Sequence, residues 1–129
     1  MERRSAFRPQ RVLVVDDTDD LRRIWKLWLT EWGFSVEEAR NGAEAVEKAK
    51  SRPPDLILMD LAMPVLDGRE ALRLLALDKA TAAVPVLAMT ADPSEVSEHF
   101  GPKPAGPDHL LERIRATLRR ASSGLERES

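Results

Sequence analysis

Three short runs of uninterrupted apolar residues each stop at a polar side chain. Val12-Leu13-Val14-Val15 stops at Asp16-Asp17, Leu56-Ile57-Leu58-Met59 stops at Asp60, and the run from Val84 to Met89 stops at Thr90. Runs of this length without alternation suit strands buried on both faces. Phe34-Ser35-Val36 is a weaker candidate for a further strand. Helical periodicity fills the gaps. Leu21, Ile24, Trp25, Trp28 and Leu29 form one apolar face, with Trp25 and Trp28 expected in the core beside Ile24 and with Leu27 and Trp32 nearer solvent. Asp19 and Asp20 fall in that helix's first turn, where the dipole favours negative charge. Asn41 and Glu44 resemble a capping box ahead of Ala45, Val46 and Ala49. A leucine-rich helix from Arg69 to Leu77 follows an Asp67-Gly68 turn. Pro107 opens a last helix lined by Leu110, Leu111, Ile114 and Leu118.

Strands alternating with helices imply βαβ units, hence a parallel sheet covered by helices on both faces. Ligand sites in such sheets form outside the carboxyl ends of the strands. The three clear strands all end there in groups able to do chemistry: Asp16-Asp17, Asp60 and Thr90. The 129-residue length fits one domain, expected over 11–121, with a flexible arm at 1–10 and a flexible tail at 122–129. With no cysteine, disulfide and thiolate chemistry are excluded. A net charge of -2 gives no general attraction to nucleic acid or membrane. No apolar run approaches a membrane span, and no signal region follows the basic N-terminus, so a cytoplasmic location is expected.

Three carboxylates at one rim repel one another and need a cation or raised pKa values. An all-oxygen set with several acids suits Mg2+. Zinc is disfavoured, because cysteine is absent and neither His99 nor His109 lies near an acid motif. A carboxylate beside magnesium can attack a phosphoryl group to give an acyl phosphate. Lys103 offers an ammonium for the charge that develops, and Thr90 offers a hydroxyl. Taken singly, these residues read as a helix cap, a strand end or a solvated lysine. Their order, each after an apolar run, is what points to chemistry.

With VLVVDD, LILMDLAMPVLDG, VLAMTA and Lys103-Pro104 in that order, residues 10–121 resemble the receiver domains of two-component response regulators. The resemblance implies a five-stranded, doubly wound parallel sheet of order 2-1-3-4-5, as in flavodoxin-like folds. It implies Asp60 as phosphoacceptor, and Asp16, Asp17, Asp60 and the backbone carbonyl of Ala62 as Mg2+ ligands. Thr90 becomes the switch hydroxyl, Phe100 the switch aromatic and Lys103 the phosphate partner, with a cis bond before Pro104. The implied partners are a histidine kinase or histidine phosphotransfer protein and an output protein of unknown identity. The resemblance also allows a homodimer. With no DNA-binding segment after the last helix, output through protein contact or phosphorelay is expected.

One stretch departs from that pattern. Only 12 residues separate Thr90 from Lys103, where the family fits a full fourth helix and a fifth strand, and an average helix alone takes about 11 residues. The fourth helix is therefore expected to be shortened or missing. Gly101 and Pro102 suit only an edge strand. This stretch motivates an alternative: a receiver-like interaction module that does not respond to phosphorylation. A phosphatase with an aspartate nucleophile is disfavoured, because Ala62 stands where such enzymes carry a second acid. A flavin-binding flavodoxin is disfavoured by the acidic first loop.

Overall fold

A computed structural model describes residues 9–61, 68–90, 94 and 100–128, and for Phe100 and 122–128 the backbone alone. In chain order the elements are β1 (Arg11–Val15), α1 (Asp19–Glu31), β2 (Ser35–Ala39), α2 (Gly42–Ser51), β3 (Leu56–Asp60), α3 (Gly68–Leu77), β4 (Val86–Thr90), β5 (Phe100–Pro102) and α4 (Pro107–Glu128). The five strands form one sheet of order β2-β1-β3-β4-β5, every pairing parallel. The parallel sheet is the one expected from the alternating pattern, and its strand order is the one the family resemblance implied. Among the described residues no helix is long and apolar enough to cross a membrane.

The pleat turns each apolar run into two cores, because successive side chains face opposite sides of the sheet. Leu13, Val15, Ile57 and Met59 pack on one face with Ala45, Val46 and Ala49 of α2 and Ala71 and Leu75 of α3. Val12, Val14, Leu56, Leu58, Leu87 and Met89 pack on the other with Trp25 and Leu29 of α1 and Leu110 and Ile114 of α4. Burial on both faces is why β1 and β3 carry no polar residue between their ends.

Local chemistry sets the helix starts. The Asn41 side chain accepts the Glu44 N–H at 2.8 Å, and the Glu44 carboxylate accepts the Arg40 N–H at 2.6 Å. The second arm of the capping box thus reaches one residue further back than the usual pattern. Pro107 does open α4, where its missing N–H matters least. Gly68 has a steric role: a Cβ there would stand 2.6 Å from Leu61 Cα and 2.8 Å from the Asp60 carbonyl oxygen. The Gly68 N–H also donates to the Leu61 carbonyl at 2.9 Å. The start of α3 is thereby laid directly on the backbone that ends β3.

Several expectations need correction. Ile24 is 43% exposed rather than in the core. The inward stripe of α1 is Arg22, Trp25 and Leu29, which rotates Ile24 toward solvent beside the exposed Leu27. Trp32 is partly buried, its ring centroid 6.4 Å from that of Trp28. The last helix runs to Glu128, so the backbone of the expected tail is helical up to that residue. The Lys103–Pro104 bond is trans, as no described peptide bond is cis. The trans form already lets the Lys103 N–H bond the Thr90 carbonyl at 3.1 Å, and it is the intrinsically favoured isomer. β5 is, as expected, a short edge strand beside β4. Between β4 and β5 only Ser94 is described. The expected shortening of a helix across 91–99 lies outside the described residues, apart from Ser94.

Gly68→Ala is expected to lower the melting temperature by roughly 4–10 °C, because backbone rather than a pliable side chain must give way. Thermal unfolding followed by circular dichroism checks this, and an unchanged midpoint would show that α3 can lift off β3 freely.

Candidate metal and phosphoacceptor site

Strand register brings the acids together. Val15 pairs with Met59 across β1 and β3, so Asp16 and Asp60 emerge side by side at adjacent carboxyl ends, about 4.8 Å apart in the sheet direction. Asp17 follows in the loop. Carboxylate oxygens of Asp16, Asp17 and Asp60 all lie within 4.8 Å of one another, the one grouping of this kind among the described residues. Asp16 is fully buried and Asp60 is 4% exposed, whereas Asp17 is exposed.

The next two strands supply the other groups. Met89 pairs with Asp60, so Thr90 ends β4 one step further along, 2% exposed. Its carbonyl receives the Lys103 N–H, which fixes the lysine at the same rim. Lys103 Nζ donates to Asp60 Oδ2 at 3.4 Å and lies 4.0 Å from Asp16 Oδ2. Asp16, Asp17, Asp60 and Lys103 thus converge, with Thr90 at the same end of the sheet. Ala62 lies outside the described residues. The Phe100 backbone opens β5 opposite Ala88, while its ring lies outside them.

Asp16 carries the clearest electrostatic signature. Its Oδ1 accepts the Thr18 N–H at 2.8 Å, but its buried Oδ2 has no hydrogen-bond partner. Burial pushes its pKa above the ordinary 3.8. The nearby Asp60 and Asp17 charges push the same way, opposed by the Thr18 N–H and the Lys103 ammonium. A buried, unsatisfied carboxylate oxygen facing two further carboxylates is a poor arrangement for a protein alone. It is a good one for a hard divalent cation, which takes oxygen ligands. The donor set therefore fits magnesium. His109, the described histidine, has its Nδ1 engaged with the Ala105 N–H at 3.2 Å.

Sequence reasoning passed over Arg22. It is 8% exposed on the inward stripe of α1. Its guanidinium donates to the Asp16 carbonyl at 2.7 Å, to Asp19 at 2.5 Å and to Glu38 at 3.0 Å. Its three-residue spacing from Asp19 was a legible ion-pair signal. The bonds to Asp16 and Glu38 depend on tertiary structure and were not legible.

Because the folded chain holds the Asp16 proton to higher pH than the unfolded chain, this group's linkage lowers stability as pH rises from 3.8 through the raised pKa. At neutral pH without metal, Asp16→Asn is thus expected to raise the melting temperature by roughly 2–5 °C, while abolishing stabilisation by magnesium. Melts in EDTA and in millimolar magnesium check both. An apo variant less stable than the parent would contradict the assigned repulsion.

Comparison with known proteins agrees with this geometry. The sequence model of the response regulator receiver domain matches residues 12–115. The transcriptional regulatory protein ResD of Bacillus subtilis is 37% identical over 121 residues, covering 87% of this chain and 49% of that protein. PilH of Pseudomonas aeruginosa is 34% identical over 104 residues, covering 81% of this chain and 86% of PilH. The chain spans about half the length of ResD and of the mycobacterial regulator MprA. Among solved structures, the chemotaxis protein CheY4 of Vibrio cholerae superimposes with a TM-score of 0.76 at 29% identity, covering 84% of this chain and 98% of that one. The receiver domain of a sensor histidine kinase of Pseudomonas aeruginosa, with a magnesium ion coordinated in its active-site cleft, gives 0.78 at 26% identity, covering 85% and 98%. On fold, motif order and sequence likeness together, this chain belongs to the response regulator receiver domain family.

Proposed function

We propose that this chain accepts a phosphoryl group on Asp60 from a phosphohistidine, with Mg2+ held by Asp16, Asp17 and Asp60, and that the modified form signals through altered protein contacts. The donor would be a histidine kinase or a histidine phosphotransfer protein. The observation that carries the reading is the buried Asp16 Oδ2, without a hydrogen-bond partner and facing the same lysine ammonium as the Asp60 carboxylate. The magnesium bound to a relative's active-site cleft supports it.

The chemistry follows from the positions. A lone pair of an Asp60 carboxylate oxygen attacks phosphorus in line with the donor's P–N bond, and that bond's electron pair leaves on the imidazole. The metal would neutralise charge on the carboxylates and on the transferring phosphoryl oxygens. Lys103 Nζ, 3.4 Å from Asp60 Oδ2, is placed to pair with a phosphoryl oxygen once it arrives. The Thr90 hydroxyl belongs to the neighbouring strand end and can donate to another. Since the Lys103 N–H is also tied to the Thr90 carbonyl, movement of either group is felt by the other. A switch then arises if the phosphorylated site favours one arrangement of β4 and β5 over another. The product is a modified protein rather than a released metabolite, so the chain acts as a signalling acceptor and not as a conventional enzyme.

A second reading, a module whose partner binds regardless of the state of Asp60, draws on the short connection at 91–99. Equal partner affinity with and without a phosphoryl mimic on Asp60 would select it.

With magnesium and acetyl phosphate or phosphoramidate, intact-mass measurement is expected to show one added phosphoryl group. EDTA or Asp60→Asn is expected to abolish it. Lys103→Ala is expected to take phosphate at least about tenfold more slowly, yet to bind magnesium no more weakly, since an ammonium no longer competes for the two carboxylates. Incorporation into Asp60→Asn, or none into the parent chain, would overturn the proposal.

A further inference from the structure

We infer that Arg22 is a positioning residue for the metal site, acting by clamping the peptide plane that joins Asp16 to Asp17. The inference rests on the magnesium reading above and extends it to a residue that touches neither metal nor phosphate.

A helix seldom turns an arginine onto its inward stripe, because a guanidinium is costly to desolvate without acceptors. Here that side chain finds three. Nη1 donates to the Asp16 carbonyl, Nη2 to the Asp19 carboxylate and Nε to the Glu38 carboxylate. Glu38 is also held by Lys26 at 3.2 Å, so the Nε edge of the guanidinium is anchored on β2. The backbone contributes as well: the Arg22 N–H donates to the Thr18 carbonyl at 3.0 Å, and the Asp16 N–H to the Ala39 carbonyl at 3.1 Å. The loop from Asp16 to Thr18 is therefore pinned at both ends.

The carbonyl bond has a consequence that the carboxylate bonds lack. A peptide unit is planar, so fixing the Asp16 oxygen fixes the orientation of the Asp17 N–H and the placement of the Asp17 Cα. Asp17 is exposed, and nothing in its own burial holds it toward Asp16 and Asp60. Arg22 reaches it through the backbone instead. The planar fork spans divergent acceptors, whereas a lysine ammonium is a single point.

Electrostatics and positioning predict opposite signs, which makes the role testable. Arg22 is a cation near a cation site. If it acted only through charge, Arg22→Met would tighten magnesium binding. If it orients ligands, the same change weakens it, and losses of about tenfold are typical for partners that orient metal ligands.

The experiment is calorimetric titration of the full chain with magnesium, for the parent, Arg22→Met, Arg22→Lys and Leu29→Val. Leu29 is fully buried on the same helix and serves as a control for general loosening of α1. The expected result is an affinity about tenfold weaker in Arg22→Met and weaker in Arg22→Lys, with less than a twofold change in Leu29→Val. In EDTA, the Asp17 amide nitrogen shift is expected to move in both Arg22 variants and to stay in place in Leu29→Val. Unchanged or tighter binding in Arg22→Met, or an equal loss in Leu29→Val, would overturn the inference. If the parent failed to bind magnesium while the Asp17 amide still moved in the Arg22 variants, the metal reading would fall and the loop clamp would stand. If neither responded, both would fall.

Discussion

Two carboxylates forced side by side at the ends of adjacent parallel strands are the constraint around which this molecule is organised. The β1–β3 register leaves Asp16 and Asp60 no freedom to separate. Apolar residues on both faces of both strands lock that register, since a one-residue slip would exchange the two cores. The sheet therefore supplies the energy that holds like charges together, and the site holds it as electrostatic strain. A divalent cation held there would relieve the strain, as Lys103 does in part from 3.4 Å and 4.0 Å from the two acids.

The surrounding elements read as supports for that rim. Gly68 lets α3 rest on the Asp60–Leu61 backbone, where any side chain would collide. Arg22 holds the Asp16 carbonyl from the other side. At the sheet edge, the missing side chain of Gly101 leaves room for the Arg113 guanidinium of α4, which donates to the Pro102 carbonyl. Burial lowers the Arg113 pKa, consistent with a guanidinium pressed onto the strand instead of extended into water. The last helix is thus bonded to the residue just before Lys103.

Much of this was legible in the amino-acid order because the fold is written in coarse signals. The uninterrupted runs ending at Asp16, Asp60 and Thr90 announced strands buried on both faces, and the acids at their ends announced the rim. Lys103 was legible only together with the others, since nothing local distinguishes it from a surface lysine. On α1 the apolar face was legible through Leu21, Trp25, Trp28 and Leu29, which do pack on the core; Ile24 was misplaced because hydrophobicity alone does not reveal that a charged residue, Arg22, takes part in the inward stripe. Arg22 can do so because its acceptors include the Asp16 carbonyl of the preceding loop and Glu38 of β2, which only the folded chain brings to it. The trans Lys103–Pro104 bond was equally beyond reach: residue types do not specify an isomer whose two forms differ by about 1 kcal/mol.

On the proposed reading, Asp16 is a buried carboxylate with an unsatisfied oxygen that a divalent cation would relieve. Carbon-detected NMR titration of the Asp16 side-chain carboxyl, with and without magnesium, measures this directly. The account predicts a midpoint above the ordinary 3.8 in EDTA, moving below it when magnesium is present. A midpoint that is ordinary without metal and unmoved by it would contradict the account.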